Sequence, residues 1–161
     1  MKKISTVLWI IGIAAVIIAL FVWGNINARN KSFSRTNREV ALACTTDMAT
    51  QFHIHPTLAI IVNGKQQTIP ANLGVQPTCM TSLHTHDSSG VIHVEAPEKR
   101  DFTLGDFFAV WKQPFSKDQI LEYKVDATHQ LLVTVNGKAV DTYENATLRD
   151  RDKIVISYET K

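Results

Sequence analysis

Residues 83–95 read LHTHDSSGVIHVE and hold three of the chain's six histidines. The turn-forming group Asp-Ser-Ser-Gly at 87–90 separates two stretches of alternating apolar residues, a pattern that is typical of a β-hairpin. A loop of either two or four residues centred on 88–89 gives the same register, with His86 opposite Val91 and His84 opposite His93. The segment therefore predicts two antiparallel strands that bring histidines together.

This register decides which side chains share a face of the sheet. Side chains of a strand alternate between faces, so the imidazoles of His84 and His86 lie on one face, about 7 Å apart along the strand. Directly opposed residues also share a face, which adds His93 and, one pair further along, Glu95. A bulge of one residue would instead send His93 to the other face.

Three neutral imidazoles on two adjacent strands are suitable nitrogen ligands for Zn²⁺ or Cu²⁺. The sequence therefore predicts a transition-metal site, with copper or zinc as the cofactor, at His84, His86 and His93. Glu95 or Asp87 is expected to accept the second ring N–H of a ligand and so to fix its tautomer. The competing interpretation is that these are ordinary strand histidines.

A second His-x-His pair lies upstream, in FHIHP at 52–56. His53 and His55 enter a predicted hairpin, and we expect them to add ligands or to build a second metal site. The sixth histidine, His129, stands alone beside another hairpin, and we assign it no role.

The tetrapeptide VNGK occurs twice, in TLAIIVNGKQQTIP at 57–70 and in QLLVTVNGKAVDTY at 130–143. Asn-Gly between apolar runs favours a two-residue hairpin turn, because a type I′ turn requires positive φ at both central residues. We therefore expect one hairpin at 63–64 and another at 136–137.

Between these hairpins, FTLGDFFAVW predicts a helix with Thr103 and Asp106 at capping spacing. Its apolar residues follow helical periodicity and are expected to pack in the core: Leu104, Phe107, Phe108 and Trp111. Pro114 is expected to end it, and Ser116 is a potential cap of a second short helical turn. With a last strand in DRDKIVISYE, the expected fold class is α+β, a mostly antiparallel sheet of hairpins with one main amphipathic helix.

The segment 4–23 has no charged residue and is just long enough to cross a hydrocarbon core of about 30 Å. A cleaved signal peptide is the alternative, with Ile-Asn-Ala at 26–28 as the cleavage site. Because the apolar run exceeds the roughly 7–15 residues usual in such signals, we expect an uncleaved signal-anchor. The expected organisation is a membrane anchor over 1–28, a linker over 29–43 and a globular extracytoplasmic domain over 44–161.

The charge distribution bears on partners. Residues 1–40 hold six of the 17 Lys and Arg and one of the 15 Asp and Glu, so the remainder has 11 basic and 14 acidic groups, a net of −3. No basic surface for nucleic acid is indicated in the domain, and the membrane is the expected partner.

Two signals disagree about the side of the membrane on which the domain lies. The helix is followed by a basic flank, which by the positive-inside rule places the domain in the cytoplasm: Arg29, Lys31, Arg35 and Arg38. The export-like form of the N-terminus favours instead a single-pass protein of the cytoplasmic (inner) membrane with a periplasmic domain, which we expect. In an exported domain Cys44 and Cys79 would form a disulfide, whereas in the cytosol they would be two thiols.

Three motifs in order resemble a family of membrane-anchored extracytoplasmic domains of bacteria and archaea, which carries HIHxxLxIxVNG, LHTHDxxGxIHxE and FTLGxFF. The resemblance covers roughly 44–160 and implies a shared domain and histidine set, with no activity attached. Relatives have aromatic residues where this chain has Thr81 and Ser82, and often a further histidine where it has Thr57. Cys44 and Cys79 match cysteines of that family, which implies a disulfide rather than metal-binding thiolates.

Three functions are compatible with these patterns. The first is a cell-envelope protein that binds copper or zinc for metal handling. The second is a zinc-dependent hydratase or hydrolase, in which a three-histidine site keeps an open position for water. The third is a structural or accessory subunit of a larger envelope membrane complex, in which the histidines only pack or make contacts.

Overall fold

The computed structural model describes residues 2–33, 35–46 and 50–161, and internal contacts divide the chain into two units at Thr36 and Asn37. In chain order the helices are α1 (Lys2–Phe33), α2 (Asn37–Leu42) and α3 (Leu104–Trp111), with a 3-10 helix at Tyr143–Asn145. The strands are β1 (Cys44–Thr45), β2 (Phe52–Ile54), β3 (Thr57–Val62), β4 (Lys65–Gln67), β5 (Val75–Gln76), β6 (Cys79–Thr81), β7 (Leu83–His84), β8 (His93–Ala96), β9 (Phe115–Ser116), β10 (Gln119–Ile120), β11 (Tyr123–Lys124), β12 (His129–Val135), β13 (Lys138–Val140) and β14 (Lys153–Thr160).

The first unit is the apolar helix α1. Its segment Leu8–Ala28, 21 residues with a mean hydropathy of 2.3, is long and apolar enough to cross a membrane. A signal sequence near an N-terminus has the same properties, so this helix fits both interpretations of the N-terminal segment. The helix continues to Phe33, and α2 follows at Asn37, so the interval 29–43 that we expect to be a linker is largely helical.

The second unit is an α+β domain that begins with α2, whose Ala41 is fully buried. A disulfide joins Cys44 in β1 to Cys79 in β6, with a Cα–Cα distance of 5.4 Å, which confirms the expected pair. The pairing of β1 with β6 brings the two cysteines close, because Cys44 lies opposite Thr81, which is two residues from Cys79.

The largest sheet has five strands in the order β13-β12-β14-β3-β4. Both VNGK hairpins are confirmed, because Val62 lies opposite Lys65 and Val135 opposite Lys138, with Asn-Gly between each pair. The expectation of one mostly antiparallel sheet is only partly correct. β14 pairs with β3 in parallel, and within the described residues three smaller sheets of three strands accompany the five-stranded one.

Helix α3 forms as its sequence indicates. Thr103 caps it and Asp106 completes a capping box, since each side chain accepts a hydrogen bond from the backbone N–H of the other residue. The helix ends before Pro114, because Lys112 has a left-handed conformation with φ of 59°. The predicted helical turn at Ser116 is wrong: Ser116 Oγ accepts the N–H of Asp118 at 3.2 Å and turns the chain from β9 into β10.

A small sheet in the order β2-β8-β7 carries the histidine motifs. Residues Val94 and Ala96 of β8, together with Leu83 of β7, are 0–2% exposed and belong to the hydrophobic core. The alternation of strand side chains therefore leaves His93 and Glu95 on the opposite face of β8.

The two Asn-Gly turns allow a direct test of the hairpins. Gly64 and Gly137 have φ of 77° and 78° and open space where a Cβ would lie, so backbone strain alone should decide the effect of a side chain. We expect Gly137→Val to lower the free energy of unfolding by about 1–2 kcal/mol, measured by chemical denaturation. Gly137→Asn should cost less, since asparagine tolerates this region; equal stability of both variants and the parent would contradict the assignment.

Candidate metal centre

Strand β8 lies between two strands that bring further histidines to it. His84 on β7 lies opposite His93 on β8, which confirms the expected register of the LHTH hairpin. On its other side β8 pairs with β2, where His53 lies opposite Glu95 and Ile54 opposite Val94. Continued by one residue, this register brings His55 beside His93.

The loop between β7 and β8 is longer than the sequence indicates. Strand pairing stops at His84, and Val91 forms an antiparallel bridge with Thr57, so the expected pair of His86 and Val91 is wrong. Leu58 N–H donates to the carbonyl of Gly90 at 2.8 Å, and Ile92 N–H to that of Pro56 at 2.9 Å. The loop is therefore attached to the chain that directly follows His55.

A glycine is required where this loop meets β3. Gly90 has φ of 86°, and a Cβ at this position would overlap the carbonyl oxygen of Leu58. This close approach lets the upstream motif, His53 and His55, fold back towards the motif of His84 and His86.

The five rings form one cluster centred on His93. Its ring centroid lies 5.9 Å from that of His53, 4.7 Å from His55, 5.3 Å from His84 and 4.5 Å from His86. In the parts of the chain that the structure describes, potential ligand atoms lie within 4.8 Å of one another in two groups. The first group is His53, His55 and His93, and the second is His84, His86 and His93. Each group could hold a metal ion.

His84 is fully buried and has an unpaired ring nitrogen. Its Nδ1 lies 3.1 Å from the carbonyl oxygen of Thr81, which can only accept, so Nδ1 carries the proton and Nε2 the lone pair. Nε2 is buried without a hydrogen-bond partner. Burial is the main cause that lowers the pKa of His84, and the hydrogen bond to Thr81 opposes it. The ring is thus held neutral, as a metal ligand must be.

His93 has an unpaired buried nitrogen as well, namely Nδ1. Burial, followed by repulsion from His86, His55 and His84, lowers the pKa of His93 to about 4. At neutral pH the ring at the centre of the cluster is therefore uncharged, which keeps a lone pair available.

The two acidic neighbours differ in their contacts. Glu95 Oε1 lies 2.9 Å from Nε2 of His53, a geometry that fixes the proton on Nε2 and leaves the lone pair of Nδ1 free. Asp87 instead accepts the backbone N–H of Ser89 at 2.9 Å, and hydrogen bonds from Ser89 lower the pKa of its carboxyl group. Asp87 shapes the loop, whereas Glu95 contacts a ring.

Two contacts around the cluster have no signal in the sequence motifs. The carboxylate of Asp150, far along the chain, accepts the backbone N–H of His55 at 3.0 Å, and the carbonyl of Thr81 orients His84.

His129 belongs to another sheet, where its ring stacks on Tyr158 with centroids 5.0 Å apart. Within the described residues it is not part of either histidine group.

No family model, curated protein or solved structure matches the chain. The resemblance of the three motifs to membrane-anchored extracytoplasmic domains therefore stays an expectation, and the function has to be argued from the histidine cluster.

The lowered pKa values predict an acid-sensitive metal-free protein. A histidine whose folded pKa is below its unfolded value of about 6.5 binds fewer protons when folded, so stability falls as the pH drops below 6.5. For His93 this loss should extend to about pH 4 and amount to about 3 kcal/mol at most. Thermal unfolding of chelator-treated protein, followed by near-UV circular dichroism from pH 7.5 to 4, measures it.

Because carboxyl groups also titrate over this range, the comparison with variants is decisive. His93→Asn should flatten the pH dependence and His129→Asn should retain it. Identical profiles for the parent and His93→Asn would contradict the assignment.

Proposed function

We propose that this protein binds a divalent transition metal, copper or zinc, through its histidine cluster and serves metal handling in the cell envelope. The observation that carries the proposal is the buried Nε2 of His84, which has no hydrogen-bond partner although its ring belongs to a group of three imidazoles. Leaving such a group unsatisfied costs about 1–3 kcal/mol, and a metal ion would satisfy it.

The donor set narrows the choice of metal. Both cysteines are joined in the disulfide, so the site offers imidazole nitrogens rather than thiolates. Imidazole suits Cu²⁺ and Zn²⁺, and of these two copper binds such sites more tightly. The pair formed by Glu95 and His53 adds the acidic partner that orients many metal-binding histidines.

The two other functions have less support. A hydratase-type zinc site needs an open position for water, and the exposed His86 makes the group of His84, His86 and His93 accessible to solvent. However, Glu95, the acidic side chain that contacts a ring of the cluster, is engaged by His53. A purely structural role would leave two buried nitrogens without hydrogen bonds, and no other interaction would offset that cost.

Removal of single histidines tests metal binding. His86 is exposed, so His86→Ala should fold normally while losing a ligand, and we expect at least a ten-fold loss of affinity, about 1.4 kcal/mol. His93→Ala should cost more because His93 belongs to both groups. The measurement is competitive titration of the full-length chain, in detergent and without a histidine tag, with Cu²⁺ and with Zn²⁺.

His129→Ala is the matched control, since its ring packs on Tyr158 outside the cluster. It should bind like the parent. Equal affinity of the parent and a combined His84→Ala, His86→Ala, His93→Ala variant would reject the proposed function.

We place the domain on the outer side of the cytoplasmic membrane. The apolar segment Leu8–Ala28 supports an anchor, and the disulfide supports an oxidising compartment. The basic flank after the helix is the opposing signal. A larger envelope complex is a further candidate partner.

The anchor predicts that the full-length chain stays in the membrane pellet after a carbonate wash, because a span of this hydropathy is not released by removing charge contacts. Immunoblotting of pellet and supernatant measures it. A shorter chain in the supernatant would indicate a cleaved signal.

In the same cells, acid-quenched thiol labelling should find Cys44 and Cys79 oxidised; two free thiols would place the domain in the cytoplasm.

A further inference from the structure

We propose that His93 bridges two metal ions, one held with His53 and His55 and the other with His84 and His86. This inference rests on the proposed metal-binding function and goes beyond it, since it assigns two ions to a single chain and a different role to one ligand. It follows from the position of His93 in the sheet and from the two groups that share it.

The sheet places the two pairs on opposite sides of His93. β8 is the middle strand, with β2 on one side and β7 on the other. His84 lies opposite His93 on β7, and His55 directly follows β2 on the other side. Neighbouring strands are about 4.8 Å apart, so the backbones that carry His55 and His84 are separated by about 10 Å.

One ion does not easily reach both pairs. A metal ion at about 2.0–2.1 Å from each imidazole nitrogen holds its donors within roughly 4 Å of one another. The donors already approach this spacing inside each group, at no more than 4.8 Å, and among the described residues the five do not form one such group. Small ring movements would complete two sites, whereas a single five-histidine site would require the strands to rearrange.

His84 and His53 each have a fixed tautomer, and each therefore offers one ring nitrogen to a metal ion. Nδ1 of His84 donates to Thr81 and leaves Nε2, while Nε2 of His53 faces Glu95 and leaves Nδ1. His93 differs, because it is shared by both groups and its buried Nδ1 has no hydrogen-bond partner. An imidazole has two ring nitrogens, and each can bind one ion.

Formation of the bridge releases one proton from His93. The first ion takes the lone pair of neutral His93. The second displaces the remaining N–H proton, which passes to solvent, and imidazolate then binds both ions. The negative charges of the imidazolate and of Glu95 offset part of the repulsion between the two dications.

The experiment titrates the metal-free full-length chain in detergent with Cu²⁺ and follows the electron paramagnetic resonance signal. We expect two ions per chain. We also expect the signal at two equivalents to fall well below twice the signal at one equivalent, because imidazolate couples the two copper spins antiferromagnetically. Proton release on adding the second equivalent, measured in weak buffer, should include one proton from His93.

Variants that retain His93 allow the two sites to be distinguished. The double variant His53→Ala, His55→Ala should bind one Cu²⁺ with full signal intensity, and His129→Ala should match the parent. His93→Ala should lose the spin coupling. Near-UV circular dichroism verifies that each variant is folded.

The outcomes distinguish the two proposals. Absence of copper binding would reject the bridge, and absence of zinc binding as well would reject the proposed function itself. One ion per chain would reject the bridge and leave the metal-binding function standing. Two ions with additive signals would also reject it, since the sites would then be independent.

Discussion

The pairing of β8 with β7 on one side and β2 on the other is the constraint on which the rest of the site depends. β8 is only four residues long, His93–Ala96, yet its alternation sends Val94 and Ala96 into the core and His93 and Glu95 to the other face. A slip of one residue would bury a charge and expose the core residues, so the apolar face fixes the register. The positions of the histidines are thus a consequence of core packing.

The histidine cluster contains buried polar groups that lower the stability of the fold. Two buried ring nitrogens, on His84 and His93, have no hydrogen-bond partner, and burial keeps both rings neutral. Protein interiors normally satisfy such groups, and exceptions concentrate where a function requires them. The opposite face of the same sheet packs Leu83, Val94 and Ile54 against the core, and this packing can hold the unsatisfied rings in place.

The five-stranded sheet and the cluster are linked through the loop after β7. Its residues 90–92 pair with 56–58, at the start of β3, which in turn pairs with β14. Asp150, close to the start of β14, holds the backbone of His55. The most exposed ligand candidates therefore lie on segments that are attached to the largest sheet, which favours a preformed site over one that orders only when a ligand binds.

The sequence alone determined most of the features that depend on local chemistry. The Asn-Gly turns, the capping box of α3, the apolar helix and the opposition of His84 and His93 all follow from neighbouring residues and from strand periodicity. It also misassigned one local feature, since Ser116 turns a hairpin where a helical cap was equally compatible with its neighbours.

Only the tertiary structure decided how distant segments meet. No local pattern shows that β2 pairs with β8, that β14 joins β3 in parallel, or that Val91 pairs with Thr57 rather than with His86. These pairings are chosen by burial of apolar faces across the whole domain, and they place His53 and His55 against His93. The sequence could predict a three-histidine face, whereas the five-ring cluster with one shared member required the fold, because it depends on the two neighbours of a single strand.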